Sequence, residues 1–323
     1  MYIVGETLDD VMRDAIEGVD KHGCMNHPTK GETKELIGVL VELTNPRARL
    51  SRTETRGKPF SCLGELCWYL AGSNDEQYIS YYIRAYKKHA EGGKLYGGYG
   101  PRIFGSGKSG QVRHIIEILR ENRATRKAVI QLFDAEDILE PHEDVPCTCT
   151  LQFLIRQEKL HLVVYMRSND AYLGFPHDVF SFTMLQEIVA RDLNIDLGTY
   201  KHIAGSLHVY DKDRSSIQQF LDEGWQPTDR AMPPMPHGDP WPSIEKMLDE
   251  ESRLRKGCLV SEYMLGELDP YWADLIRLLQ IFRCYKNEDA EELSNIRGEM
   301  SSDVYDVFIV GKLEDLKSRD DAS

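Results

Sequence analysis

Apolar residues near the start of the chain recur three and four apart: Leu8, Val11, Met12, Ala15, Ile16 and Val19 share one helical face. Thr7 and Asp10 are spaced as a capping box ahead of that stripe, and Gly23 stands where the helix would close. Residues 34–50 read as a strand running into a loop. Pro59–Leu70 repeats the helical pattern, with Phe60, Leu63, Cys67 and Leu70 on one face and Gly72 as the stop. Residues 92–110 are rich in glycine and predict a loop with close backbone approach. Val112, Ile115, Ile116 and Leu119 mark a third amphipathic helix. Residues 128–133 predict a strand. Residues 151–156 and 160–167 predict two more, joined by a short polar turn as a hairpin. Residues 179–192 predict a helix with Phe182, Leu185 and Val189 on one side.

Residues 233–242, PPMPHGDPWP, hold five prolines and mark a boundary. Beyond it the pattern is helical and charged, ending in a polar stretch. The expected division is a catalytic domain over 1–236 and a helical extension over 237–323 packed on it. There is no internal repeat and no low-complexity tract.

Composition narrows the class. The 323 residues are 41% hydrophobic and 28% charged, ordinary for a globular protein with a sizeable core. A net charge of −14 argues against a general nucleic-acid or membrane surface. It leaves room for a small anion, which needs only a few local cations. No apolar run approaches the roughly 18 residues of a membrane span, and MYIVGETLDD lacks the basic and apolar regions of a secretory signal. Seven cysteines form neither a zinc pattern nor a disulfide framework, so no metal and a reduced, cytoplasmic location are expected.

Several residues carry candidate chemistry. A nucleophilic thiol needs a nearby cation to lower its pKa. Cys147 and Cys149 are both placed for this, with Arg167 as the cation. In a regular strand the two cysteines face the same side, so geometry alone does not choose between them. Glu65 lies among Cys62, Trp68 and Tyr69 at helical spacing. Such surroundings should raise its pKa and suit it to proton transfer near neutral pH. His208 and Tyr210, one apart on a strand, share a face.

Together these stretches resemble the thymidylate synthase family. The resemblance rests on Pro146-Cys147 with Gln152-Phe153, on Arg167-Ser168-x-Asp170-x-x-x-Gly174-x-Pro176, and on Gly64-Glu65-Leu66-Cys67-Trp68-Tyr69-Leu70-x-Gly72. It runs from about residue 34 to 236. It favours Cys147 as the nucleophile and implies roles for Glu65 in proton transfer and Arg167 in support of the thiolate. Tyr96 resembles the family's active-site tyrosine, with Tyr99 as a close competitor. Ser168, with Arg126 and Lys127 lent across a homodimer interface, would bind phosphate; the family's usual pair is Arg-Arg, so Lys127 substitutes a point charge for a fork. His208 and Tyr210 would hold the sugar 3′-hydroxyl, and Asp170 and Gly174 belong to the same nucleotide site. The implied fold is α+β, a mixed sheet packed with helices.

One substitution sets the expected base. The synthases carry Asn where this chain has Asp178. An ionised carboxylate only accepts, which suits the N4 amino group of cytosine. Asp178, and Cys147-Thr148 in place of a Cys-His pair, most resemble the cytidylate hydroxymethylases. The resemblance therefore implies 5-hydroxymethylation of a cytidine 5′-monophosphate, with CMP favoured over dCMP, and 5,10-methylenetetrahydrofolate as carbon donor. The antibiotic-pathway branch of these enzymes is the expected setting. The family's short closing segment over the folate is not recognisable here, which favours hydration over hydride transfer. The alternatives are a thymidylate synthase acting on dUMP and a silent nucleotide-binding protein.

Overall fold

The computed structural model describes residues 1–28, 31–105, 110–260 and 262–320. Among them are strands β1 (Tyr2–Gly5), β2 (Cys24–Asn26), β3 (Thr33–Leu43), β4 (Val129–Gln131), β5 (Thr148–Arg156), β6 (Lys159–Asp170) and β7 (Asp196–Tyr210). The helices of the first half are α1 (Leu8–His22), α2 (Pro59–Leu70), α3 (Glu76–Tyr82), α4 (Tyr99–Phe104) and α5 (Gln111–Glu121). Those that follow are α6 (Phe175–Asp192), α7 (Arg214–Asp222), α8 (Trp241–Arg255), α9 (Glu262–Gly266), α10 (Pro270–Lys286), α11 (Ala290–Gly298) and α12 (Asp306–Asp320).

The strands make one sheet in the order β1-β3-β7-β6-β5-β4, with β2 paired to β3. β1 with β3 and β6 with β7 are parallel, and the other pairings are antiparallel. The sheet is thus mixed, as expected. The β5–β6 hairpin turns through Gln157 and Glu158, at φ 52° and 57°. Two successive positive φ values match the right-handed twist of the flanking strands.

Two cores meet at α6. One side of this helix (Val179, Phe182, Leu185, Val189) joins α1 and α5 against the sheet. Its other side (Phe180, Met184, Ile188) joins α2 and the helices after the proline-rich stretch in a second cluster. Cutting a side chain such as Phe182 to Ala would cost about 3–5 kcal/mol. Between Phe175 and Arg191 only His177 and Asp178 are not buried.

Some boundaries differ from expectation. α6 begins at Phe175, not at residue 179, because Pro176 occupies its first turn, where a missing N–H costs nothing. The glycine-rich loop contains α4, whose Ile103 packs into the first core. The strand expected over 128–133 is shorter, Val129–Gln131. The capping box at Thr7 and Asp10 forms as its spacing predicts.

Candidate active site

The loop before β5, the end of β6, the start of α6 and the end of β7 meet at a cavity of about 620 Å³. Cys147, Arg167, Ser168, Asp170, Gly174, Asp178, His208, Tyr210 and Glu65 all line it. Arg167 is anchored by its own main-chain surroundings: Nε donates to the Pro146 carbonyl at 2.9 Å and Nη2 to that of Val145 at 3.1 Å. This leaves Nη2 3.7 Å from the Cys147 sulfur. A fixed guanidinium at that distance favours thiolate over thiol.

The backbone separates the two cysteines. Thr148 pairs with Met166 and Thr150 with Tyr165, so Cys149 is the extra residue of a bulge. The alternation of a regular strand therefore fails here. Cys147 faces the cavity and Cys149 is not among its lining residues. Burial pushes the Cys149 thiol upward in pKa.

Glu65, buried on α2, accepts three hydrogen bonds. Tyr69 donates to Oε1 at 3.0 Å, Tyr86 donates to the same oxygen, and His177 Nδ1 lies 2.8 Å from Oε2. Burial alone would raise the carboxyl, as its sequence neighbours suggested. The bonds from His177, Tyr86 and Tyr69 outweigh burial and hold it below the usual carboxylate range, so the expectation of a raised pKa is corrected. Burial works against the His177 imidazolium too, but Cys62 and Glu65 bring its pKa up to about 10.

Asp178 sits in the first turn of α6. Asn169 Nδ2, from β6, donates to its Oδ2 at 2.7 Å. Gly174 leaves room for this bond, since a Cβ there would come within 3.3 Å of that amide nitrogen. Burial, then the charge of Glu65, push Asp178 up to about 8. At neutral pH the group is mostly a carboxylic acid with one donor and one acceptor. Ionised, Asp178 only accepts, as its residue type suggests, and burial shifts that form toward higher pH.

Asp170 Oδ1 accepts from the N–H groups of Tyr172 and Leu173, both at 2.9 Å, which shapes the turn into α6. Asp170 pairs across the sheet with His208, whose ring stands edge-on to Tyr210 at 5.2 Å. Tyr96 does not line the cavity. Its ring stacks on His142 at 3.5 Å with the Arg102 guanidinium beside it, and this holds it outside. Tyr99 takes the place, its hydroxyl accepting from Thr148 N at 3.2 Å and bonding Thr148 Oγ1 at 3.0 Å. Arg126 and Lys127 are exposed and lie outside this chain's own cavity. The Arg126 carbonyl accepts from Gln152 Nε2 at 3.0 Å.

Sequence reasoning missed His177, Asn169, Tyr86 and Lys212, all lining residues. Asn169 sits inside the motif already singled out and His177 between that motif and Asp178, and their polarity beside Asp170 and Asp178 was a usable signal. Tyr86 comes from the 3-10 turn Arg84–His89, and no pattern marked it.

The thymidylate synthase family model matches residues 10–235. The chain belongs to the thymidylate synthase family. Members of this family draw their one-carbon unit from 5,10-methylenetetrahydrofolate. A deoxyuridylate hydroxymethyltransferase of Bacillus phage SP01 is 30% identical over 221 residues, 64% of this chain and 58% of that protein. A deoxyuridylate hydroxymethyltransferase of Pseudomonas phage M6 is 26% identical over 242 residues, 72% of this chain and 69% of that protein. A putative thymidylate synthase of Methanocaldococcus jannaschii is 30% identical over 207 residues, 59% of this chain and 82% of that protein. The chain thus spans little more than half the length of the SP01 relative. No helix among the described residues is long and apolar enough to cross a membrane.

Proposed function

We propose that this protein is a one-carbon transferase that hydroxymethylates C5 of a cytidine 5′-monophosphate, with CMP preferred over dCMP. Cys147 adds to C6, which makes C5 nucleophilic. Arg167 stabilises the thiolate before attack and after release. Ser168 binds the phosphate, joined by Arg126 and Lys127 of a second copy in a homodimer. Their exposure outside the chain's own cavity fits that arrangement. His208 and Tyr210 hold the sugar edge.

The cavity fits a folate beside the nucleotide, since Ile83, Tyr86 and Leu173 give an apolar wall near Cys147. Bound there, 5,10-methylenetetrahydrofolate supplies a carbon at the oxidation level of formaldehyde. Glu65 orders water and moves protons.

Asp178 carries the cytosine reading. Ionised, its carboxylate accepts from the N4 amino group. Uracil O4 finds a donor there only while the acid keeps its proton on the facing oxygen. That neutral form, which predominates at pH 7, also supports a second reading, a uracil nucleotide, in line with the names of the two phage relatives. Incubating the protein with CMP, dCMP and dUMP plus methylenetetrahydrofolate, then weighing the products, separates them. A hydroxymethylated cytosine nucleotide is expected. Exclusive turnover of dUMP would refute the cytosine assignment.

A further inference from the structure

His177 is the least expected group in the cavity. It lies at the start of α6, beside Asp178, and its ring touches two residues of α2. Nδ1 is 2.8 Å from Glu65 Oε2, and the Cys62 thiol is a second hydrogen-bond neighbour. Cys62 and Glu65 are three apart on α2, so one ring spans both. The Glu65 oxygens face only donors: Tyr69 and Tyr86 on Oε1, His177 on Oε2. A buried carboxyl so surrounded is held as the anion. The other ionisable groups lining the same cavity are Asp178 on α6, Tyr99 on α4, Cys147 before β5, Arg167 and Asp170 on β6, His208 and Tyr210 on β7, and Lys212.

We propose that His177 is a positioning residue for the water-addition step, holding Glu65 as an oriented carboxylate that takes a proton from the attacking water. This deepens the hydroxymethylation reading and rests on it. In the step, the water oxygen bonds the exocyclic methylene carbon and one water proton passes to Glu65. The electron pair of the exocyclic double bond moves into the ring and expels the Cys147 sulfur from C6 as thiolate. Glu65 loses its negative charge as Cys147 regains one, so charge and electrons balance. His177 touches neither water nor pyrimidine in this scheme. Its imidazolium holds Glu65 ionised, so the carboxylate is in the form that can accept the proton. Burial acts against the ion pair on both sides; the bond from His177 leads what offsets it at Glu65, while at His177 the neighbouring Cys62 comes first and Glu65 second.

Two measurements test this. The first needs no substrate: nuclear magnetic resonance of ring-labelled histidine, with His177 assigned by its loss in His177→Asn. The ring should remain imidazolium at pH 8 and become neutral at lower pH in Glu65→Gln than in the wild type. A ring neutral at pH 7, or one indifferent to Glu65→Gln, overturns the pairing. The second is kinetic. In His177→Asn, kcat at pH 7 should fall about ten- to hundredfold, at or below the lower end of general-base effects because Glu65 itself remains, with KM within about threefold. The acid limb of the rate profile should rise by about one to two pH units, the size of a lost charge-assisted hydrogen bond. An unmoved acid limb in the folded variant overturns the holding role. If wild-type protein forms dihydrofolate and a methyl product, the reaction reading fails and the water step with it, while the ring titration still decides the pairing.

Discussion

Replacing Asp178 by Asn tests how the base is chosen. A carboxyl titrating at about 8 is protonated in roughly ten molecules for each ionised one at pH 7. Asn169 Nδ2 donates to Oδ2 at 2.7 Å, so the proton of the neutral acid belongs on Oδ1. In Asp178→Asn the same donor fixes the new amide, with its oxygen toward Asn169 and its NH2 in the place of Oδ1. The acid could shed its proton to receive the N4 amino group of cytosine, but the amide cannot. Cytosine would then meet donor against donor. One buried polar group left unpaired costs about 1–3 kcal/mol, or roughly ten- to hundredfold. Uracil O4 gains a permanent donor. The ratio of kcat/KM for CMP to that for UMP, measured by competition with mass detection, should therefore fall by roughly ten- to hundredfold. The wild-type ratio should rise between pH 7 and 9, as ionisation removes the donor that uracil needs. A ratio unchanged in the variant would refute the role given to Asp178.

Cys147→Ala should abolish turnover and any covalent adduct with a 5-fluorinated cytidylate, whereas Cys149→Ala, altering a bulge residue outside the cavity, should retain activity; the reverse result would place the nucleophile at 149. Stability should fall as pH rises. Asp178 holds its proton to about 8 in the fold against 3.8 ordinarily, and His177 to about 10 against 6.5, so the folded state binds more protons than the unfolded one across those windows. The Tm should decline from pH 6 to 9, by roughly 1.5 °C for each kcal/mol lost in a chain of this size, and a Tm that rises over that range would contradict both assignments. Glu65 acts in the opposite sense, its contribution being lost only as pH falls below the ordinary carboxylate range. During turnover the folate should appear as tetrahydrofolate, with oxygen from labelled water in the product. Stoichiometric dihydrofolate would falsify hydroxymethylation. Among the described residues, those lining the cavity end at Lys212 in the chain, which fits a site open to water.

The legible parts of this protein were those set by local pattern. The α2 helix matched its forecast range because Pro59 starts it and its apolar period is strong. The β5–β6 hairpin over residues 151–167 was legible from its polar two-residue turn, whose register holds from Arg156 to Thr150. What escaped was set by contacts distant in sequence. The Glu65 pKa direction depends on His177, 112 residues away, and on Tyr86. Tyr96 and Tyr99 cannot be ranked without His142, which captures the first ring. The Cys149 bulge appears only once β6 is laid beside β5. Asp178 shows the subtlest gap: residue type was plain, but its proton is decided by burial on a helix packed from both sides.

The second core has a consequence for how the protein is made. The face of α2 opposite the cavity is covered by residues such as Leu275, Ile276 and Phe308, which leave the ribosome more than two hundred positions after Glu65. Until they emerge, Leu63, Leu66 and Trp68 have no complete apolar cover, and the nascent chain displays a greasy helix to water. Synthesis at about 5–20 residues per second leaves that helix waiting on the order of ten seconds or more. Glu65 therefore gains its rigid support only after these later helices have been made. A chain interrupted near the proline-rich stretch should need a chaperone even though every residue lining its cavity has already been made.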